Sequence, residues 1–384
     1  MGTATVDSRQ DGGADTRYRV MLVDDSAVIR GLLARALESD DAIRIVASAA
    51  NGKMALSALD RNDVEVVVLD IEMPEMDGLT ALPLLIKRDP ALKVIMASTL
   101  TRRNAEVSLR ALDLGACDYL AKPSSGSELN SAEDFKQQLT DKVKALGMAR
   151  RRQVGGSSAT PRRPAGAVGA PAKVAVHAGP IVLRPSTVSM LPPEVIAVGS
   201  STGGPQALMK LFGDLKGGTG QPILVTQHMP ATFTTILAEH IARASGIPCA
   251  EAVDGEPVKG GRIFLAPGDF HMTVEGASPK RVIRLNRGAP ENFCRPAVDP
   301  MLRSIVRSYG SRVLTVILTG MGSDGRRGCE EVARAGGTVV AQDEASSVVW
   351  GMPGAVATAG LCSAVMPIAE IGSYLRRIAA RTAA

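Results

Sequence analysis

The chain has 384 residues, 45% hydrophobic and 22% charged, with a formal net charge of +5. That length exceeds one average domain, and the composition lets two domains each bury a core, which excludes disorder throughout. Five cysteines, an odd number without a C-x-x-C pair, exclude a disulfide framework and read as buried thiols of a reducing compartment.

The N-terminus lacks the order of a signal peptide and no apolar run is long enough to span a bilayer, so a cytoplasmic protein that is not membrane-inserted is expected. Residues 1–17 are polar and Gly/Asp-rich and read as a disordered leader. Order is expected from Tyr18. Strands are predicted at Tyr18 to Val23, Ile43 to Ser48, Val64 to Asp70, Lys93 to Ala97 and Ala116 to Leu120. Helical spacing, as in Val28, Leu32, Leu33 and Leu37, separates them. Five such βα units predict a doubly wound parallel sheet over residues 18–145.

Residues 146–193 are rich in Gly, Ala, Pro, Ser and Arg and read as an extended tether. Arg150, Arg151, Arg152, Arg162 and Arg163 concentrate much of the positive charge there, as a basic linker would. The α/β rhythm resumes over residues 194–384. Strands are predicted near Val195 to Gly199, Pro222 to Thr226, Arg262 to Ala266, Arg312 to Leu318 and Thr338 to Ala341. Phe270 to Val274 and Arg281 to Leu285 predict an antiparallel hairpin attached to a mostly parallel sheet.

In an open parallel sheet the chemistry collects at the carboxyl ends of the strands. Asp24, Asp25 and Asp70 end two strands of the first domain, and their mutual repulsion is relieved by a hard divalent cation, implying Mg2+. Lys122 and Ser98 reach the same rim, and this set of groups suits an aspartyl phosphate. Any one of these residues alone would read as a helix cap or a solvated rim.

These residues, with Met73-Pro74-Glu75-Met76-Asp77-Gly78 and Lys122-Pro123, resemble the receiver domain of two-component response regulators. The resemblance implies a flavodoxin-like fold in which Asp70 accepts the phosphoryl group from a histidine kinase. It makes Asp25, Asp70 and the Glu72 backbone carbonyl direct Mg2+ ligands, with Asp24 helping to organise the ion. Ser98 and Tyr119 stand at the positions that report phosphorylation.

In the second domain, Gly199-Ser200-Ser201-Thr202-Gly203-Gly204-Pro205 follows a strand and opens a helical pattern. The glycines permit a tight turn, and the helix N-terminus supplies donors for an oxyanion, so Ser201 is well placed as a nucleophile. A phosphate-binding or plain structural turn is the bland alternative, and Ser200 is the alternative nucleophile. His228 ends the next strand and is the best base: His177 lies in the tether, His240 on a helical pattern and His271 near the hairpin. Asp324, in the glycine-rich stretch Leu318 to Gly325, is the candidate third member, and the Met321 N–H a candidate oxyanion donor.

Together with Phe264-Leu265-Ala266-Pro267-Gly268, Arg295-Pro296-Ala297-Val298-Asp299 and Ser347 to Gly354, these strings resemble the catalytic domain of chemotaxis protein-glutamate methylesterases. The resemblance implies a Rossmann-like hydrolase with the triad Ser201, His228 and Asp324 and no cofactor in the hydrolase site. Its substrates would be γ-glutamyl methyl esters on methyl-accepting chemotaxis receptors, with specific receptor glutamines deamidated as well. It also implies that the unphosphorylated receiver masks the hydrolase site. The rivals are a receiver-controlled esterase acting on another substrate and a response regulator with a binding output. For a DNA-binding output, residues after Pro193 lack a helix-turn-helix signal, so no nucleic-acid partner is expected.

Overall fold

The structure, a computed structural model, describes residues 15–99, 101–122, 129–155, 181–184, 192–216 and 218–379. The expected leader, apart from residues 15–17, and most of the expected tether lie outside the described residues, as do Pro123, Arg162, Arg163 and His177.

The first unit runs β1 (Tyr18–Val23), α1 (Ala27–Glu38), β2 (Ile43–Ala49), α2 (Gly52–Leu59), β3 (Val66–Asp70), α3 (Gly78–Arg88), β4 (Lys93–Ser98), α4 (Arg102–Asp113), β5 (Asp118–Ala121) and α5 (Leu129–Gly155). Its five strands are parallel in the order β2-β1-β3-β4-β5. β3 is buried along its whole length because helices cover both faces of the sheet, hence the unbroken run Val66-Val67-Val68-Leu69. Local chemistry starts the first four helices: Ser26, Asn51, Asp77 and Thr101 accept the backbone N–H groups of Ile29, Met54, Thr80 and Asn104. Each such cap contributes about 1 kcal/mol.

Helix α5 continues through Gly155, so the first residues of the expected tether are helical. No proline occurs before Pro161 to stop the helix. Its arginines are anchored to folded structure: Arg150 pairs with Asp89 at 2.6 Å, Arg151 with buried Glu65 at 2.6 Å, and Arg152 with Glu344 at 2.8 Å. These three therefore stabilise folded contacts and are not part of a free basic linker.

The second unit runs β6 (Val195–Ser200), α6 (Gly204–Asp214), β7 (Ile223–Gln227), α7 (Ala231–Ser245), β8 (Cys249–Glu251), β9 (Ile263–Leu265), β10 (His271–Glu275), β11 (Val282–Asn286), α8 (Val298–Tyr309), β12 (Val313–Ile317), α9 (Arg326–Arg334), β13 (Thr338–Gln342), α10 (Met352–Thr358), β14 (Ala364–Met366) and α11 (Ile368–Ala379). Seven parallel strands lie in the order β14-β13-β12-β6-β7-β9-β8. From β6 the chain builds outward to β8 on one side, then returns beside β6 and builds outward to β14 on the other. The crevice at such a reversal is where ligands bind in this architecture.

The hairpin β10–β11 forms as expected but as a separate antiparallel sheet. It is held to α8, whose Ser304 Oγ accepts the Val274 N–H at 2.9 Å. The two edge strands β8 and β14 escaped sequence reading because three residues each are too few to display a period.

The two units pack against each other. Tyr119 of β5 stacks on Phe233 of α7, with ring centroids 4.2 Å apart and planes 11° from parallel. The Gln206 amide of α6 donates to the Ala116 carbonyl at 2.7 Å.

Candidate active site

In the first unit, the ends of β1 and β3 bring one carboxylate oxygen each from Asp24, Asp25 and Asp70 to within 4.8 Å of one another. The Lys122 Nζ lies 2.6 Å from Asp24 Oδ2 and 2.7 Å from Asp70 Oδ1. Burial raises the Asp70 carboxyl above its ordinary range; Lys122 pulls it down, and the charge of Asp24 pushes it up again. Mg2+ takes oxygen ligands, carboxylates among them, so the three convergent carboxylates present fit that ion. Gly78 is required by close approach, since a Cβ there would lie 2.0 Å from the Asp70 carbonyl oxygen. Ser98 and Tyr119 are buried: the Ser98 hydroxyl contacts the Ser108 hydroxyl at 3.2 Å, and Tyr119 faces Phe233.

In the second unit, Ser201 leaves β6 at the tight turn that opens α6. The turn needs Gly203, which adopts φ 75°. The adjacent serines have different environments. Ser200 is fully buried, and its hydroxyl donates to Gln227 Oε1 at 2.7 Å, whereas among the described residues no hydrogen bond engages the Ser201 hydroxyl. Ser201 is half-buried at the crevice, its backbone N–H donating to the Thr319 carbonyl at 3.0 Å. That contact brings the loop after β12 against the serine. A Cβ on Gly320 would come within 2.8 Å of Ser201 Cβ, so glycine is needed there.

His228 follows β7, the strand beside β6, and its Nε2 meets Asp324 Oδ2 at 2.7 Å. Asp324 is buried in a cradle of donors: the Val298 N–H at 2.6 Å, the Gly325 N–H at 2.9 Å, the Asp299 N–H at 3.2 Å and the Asn292 side-chain amide at 2.9 Å. Burial works against its charge, but His228 and these donors lower its carboxyl below the usual range. Asp299, beside it, goes the other way, raised by burial and by the charge of Asp324.

The other ring nitrogen of His228, Nδ1, faces Cys294 Sγ at 3.3 Å. Burial would lower the imidazole, but the Cys294 sulfur and Asp324 raise it to about 10. Cys294 and Asn292 were not singled out from the sequence. The only signal was their position just before the Arg295-Pro296 string. The expectation that all five cysteines are buried holds for Cys117, Cys329 and Cys362, whereas Cys249 and Cys294 are half-buried. His271 is committed to structure: the Ala297 N–H donates to its Nδ1 at 3.2 Å and its Nε2 meets the Ala289 carbonyl at 3.0 Å.

Met321 follows Gly320 on the loop after β12. The Gly320 N–H donates to the Val349 carbonyl at 3.0 Å, while the Met321 N–H makes no hydrogen bond among the described residues. The arrangement therefore offers a free hydroxyl at a helix start, an imidazole held by a buried carboxylate, and an unengaged backbone donor on one sheet edge, the parts that acyl transfer uses.

Comparison with known proteins identifies the two domains and the family. A profile described as CheB methylesterase matches residues 196–375, and one described as response regulator receiver domain matches residues 20–133. A protein-glutamate methylesterase/protein-glutamine glutaminase of a group 2 operon from Rhodospirillum centenum is 60% identical over 100% of this chain and 99% of its own length. Proteins with the same activity name from Paramagnetospirillum magneticum and Azospirillum brasilense are each 60% identical, over 96% and 95% of this chain and 98% and 93% of their own lengths. Among the described residues no helix is long and apolar enough to cross a membrane.

Proposed function

Because the chain belongs to the protein-glutamate methylesterase/protein-glutamine glutaminase family, we propose that it hydrolyses γ-glutamyl methyl esters on chemotaxis receptors to glutamate and methanol, under control of its phosphorylatable receiver. Deamidation of specific receptor glutamines is the companion activity, with ammonia leaving in place of methanol. The protein would work in the cytoplasm with a histidine kinase as phosphodonor. The observation that supports the reading is the pairing of His228 with the buried Asp324 at 2.7 Å, on strand ends next to the turn that carries Ser201, whose N–H donates to the Thr319 carbonyl at 3.0 Å.

Ser201 is the nucleophile. Its neighbour Ser200 is consumed by Gln227, which supports this choice. Since Nε2 of His228 is held by Asp324, Nδ1 is the nitrogen left to take the Ser201 proton, and it must exchange Cys294 for the serine to do so. Ser201 Oγ then attacks the ester carbonyl, and the Met321 N–H donates to the developing oxyanion. The protonated His228 returns the proton to the departing methoxide, releasing methanol. Water, deprotonated by the same imidazole, attacks the acyl-enzyme and frees glutamate. Asp324 orients His228 and stabilises its cation.

In the receiver, Asp70 accepts the phosphoryl group, and Asp24, Asp25, Asp70 and the Glu72 carbonyl are the residues that would hold Mg2+. When bound, the ion offsets negative charge on the phosphoryl oxygens. Lys122 holds Asp24 and Asp70 together, and Ser98 and Tyr119 respond to the new charge. Unphosphorylated, the receiver covers the hydrolase crevice. The contact of Val349, Val348 and Met321 with the receiver cluster containing Leu120 and Phe135 supports this reading. Residues 18–145 and 194–384 are the receiver and hydrolase domains. Mass spectrometry of a methylated receptor fragment before and after incubation tests the activity: loss of methyl groups is expected, and an unchanged fragment with phosphodonor present overturns it.

A further inference from the structure

The segment before α8 turns back on itself. Glu291 and Cys294 exchange both backbone hydrogen bonds, at 3.1 and 2.9 Å, and leave Asn292 and Phe293 at the tip with φ of 52° and 62°. Asparagine tolerates that left-handed conformation, whereas an aromatic residue adopts it against a steric cost. Phe293 is also 93% exposed, more than any other large hydrophobic residue described. Isolated apolar side chains on a surface are ordinary, but this one combines exposure, backbone strain and an unusual location.

Its two chain neighbours clasp the candidate triad. Asn292 donates to Asp324 at 2.9 Å and Cys294 lies on His228 at 3.3 Å, so the ring projects outward from the tripeptide that holds the base and its carboxylate. The base of the loop is tied down by the Arg303–Glu291 and Arg295–Asp269 ion pairs. Arg287 also approaches Asp269, at 3.4 Å, so two arginines share one carboxylate and leave net positive charge at the base of the loop. Strain that the surrounding structure maintains at a functional site calls for a use outside the chain.

We propose that Phe293 is an anchoring contact for the substrate protein, gripping the acidic segment that flanks the scissile glutamate ester. This rests on the methylesterase reading and adds the element that distinguishes a protein ester from a small one. A rigid aromatic ring at low entropic cost is a typical anchor at protein interfaces, and the neighbouring arginines complement glutamates that earlier turnovers have unmasked. The ring stays exposed while the receiver is docked, so the anchor is available in both regulatory states.

The test uses the full-length protein with phosphodonor, comparing Phe293→Asn and Phe293→Trp with the wild type. Asparagine suits the left-handed backbone, so Phe293→Asn removes the ring without straining the turn. Initial rates are measured on a methylated receptor fragment and on a small soluble acyl ester. Phe293→Asn is expected to raise KM on the receptor fragment about tenfold, as loss of an interface anchor does. It should affect the small ester far less, and Phe293→Trp should stay near the wild type on both. Unchanged KM on the receptor fragment, or equal losses on both substrates, overturns the proposal. A wild type that cleaves the small ester but leaves the receptor fragment methylated overturns the methylesterase reading, and this inference with it.

Discussion

The hydroxyl of Thr202, the residue after the candidate nucleophile, donates to Asp118 of the receiver at 2.6 Å, and both residues are buried. Asp118 also pairs with Lys142 of α5 and immediately precedes Tyr119, which stacks on Phe233 of the helix following His228. The receiver thus touches both arms of the hydrolase site, beside the serine and behind the histidine.

A hydrogen bond to a charged group is worth about 1.5–3 kcal/mol, and each 1.4 kcal/mol changes an equilibrium about tenfold. Thr202→Val should therefore weaken docking and shrink the ratio of phosphodonor-activated to basal rate, because basal activity rises. The ratio cancels any effect on the adjacent serine. Tyr119→Ala, acting from the receiver side, should do the same. A ratio as large as the wild type's in both variants would mean that this seam does not hold the enzyme down.

Ser201→Ala should abolish methanol release while the thermal unfolding profile stays intact, because the hydroxyl makes no hydrogen bond among the described residues. Losses on the order of 10⁴ to 10⁶ in kcat accompany triad removals in serine hydrolases. Ser200→Ala has the opposite profile, losing its bond to buried Gln227 and therefore stability, with turnover largely retained. Reversed behaviour of the two variants would move the nucleophile to Ser200.

His228 is raised from an ordinary 6.5 to about 10, so its folded form binds a proton more tightly than the unfolded chain does. The resulting stabilisation is fully present below pH 6.5 and is lost as pH rises toward about 10. The melting temperature should fall across that window, and less steeply in His228→Gln. The base must be neutral to take a proton, so basal hydrolysis should climb over the same range. Cys294→Ala removes one of the groups that raise the imidazole and should shift the pH–rate midpoint downward. An unmoved midpoint would deny the Cys294 contact any role in tuning the base.

Asp70 should take phosphate from a small phosphodonor only with Mg2+ present, and Asp70→Asn should not be labelled. Asp25→Ala removes an exposed carboxylate from the cluster and should weaken labelling without unfolding the sheet. Labelling of Asp70→Asn at the wild-type rate would place the acceptor elsewhere.

The sequence by itself determined the two α/β units and most of their strands, because a buried parallel strand is a short apolar run with helical periods around it. It also brought out Asp24, Asp25, Asp70, Ser201, His228 and Asp324, since each closes or follows such a strand and the topology of a parallel sheet sends those ends to one edge. Only the tertiary structure decided what surrounds them. Cys294 reaches His228 from 66 residues away and Thr202 reaches Asp118 from 84, and no local period or motif encodes a contact across that separation. The helical reach of α5 into the expected tether was settled by Asp89, Glu65 and Glu344, distant partners that hold its arginines. Local patterns set which residues stand at the strand ends; the packing of loops and domains against those ends set which serine hydroxyl is engaged and which partners hold the two nitrogens of the histidine.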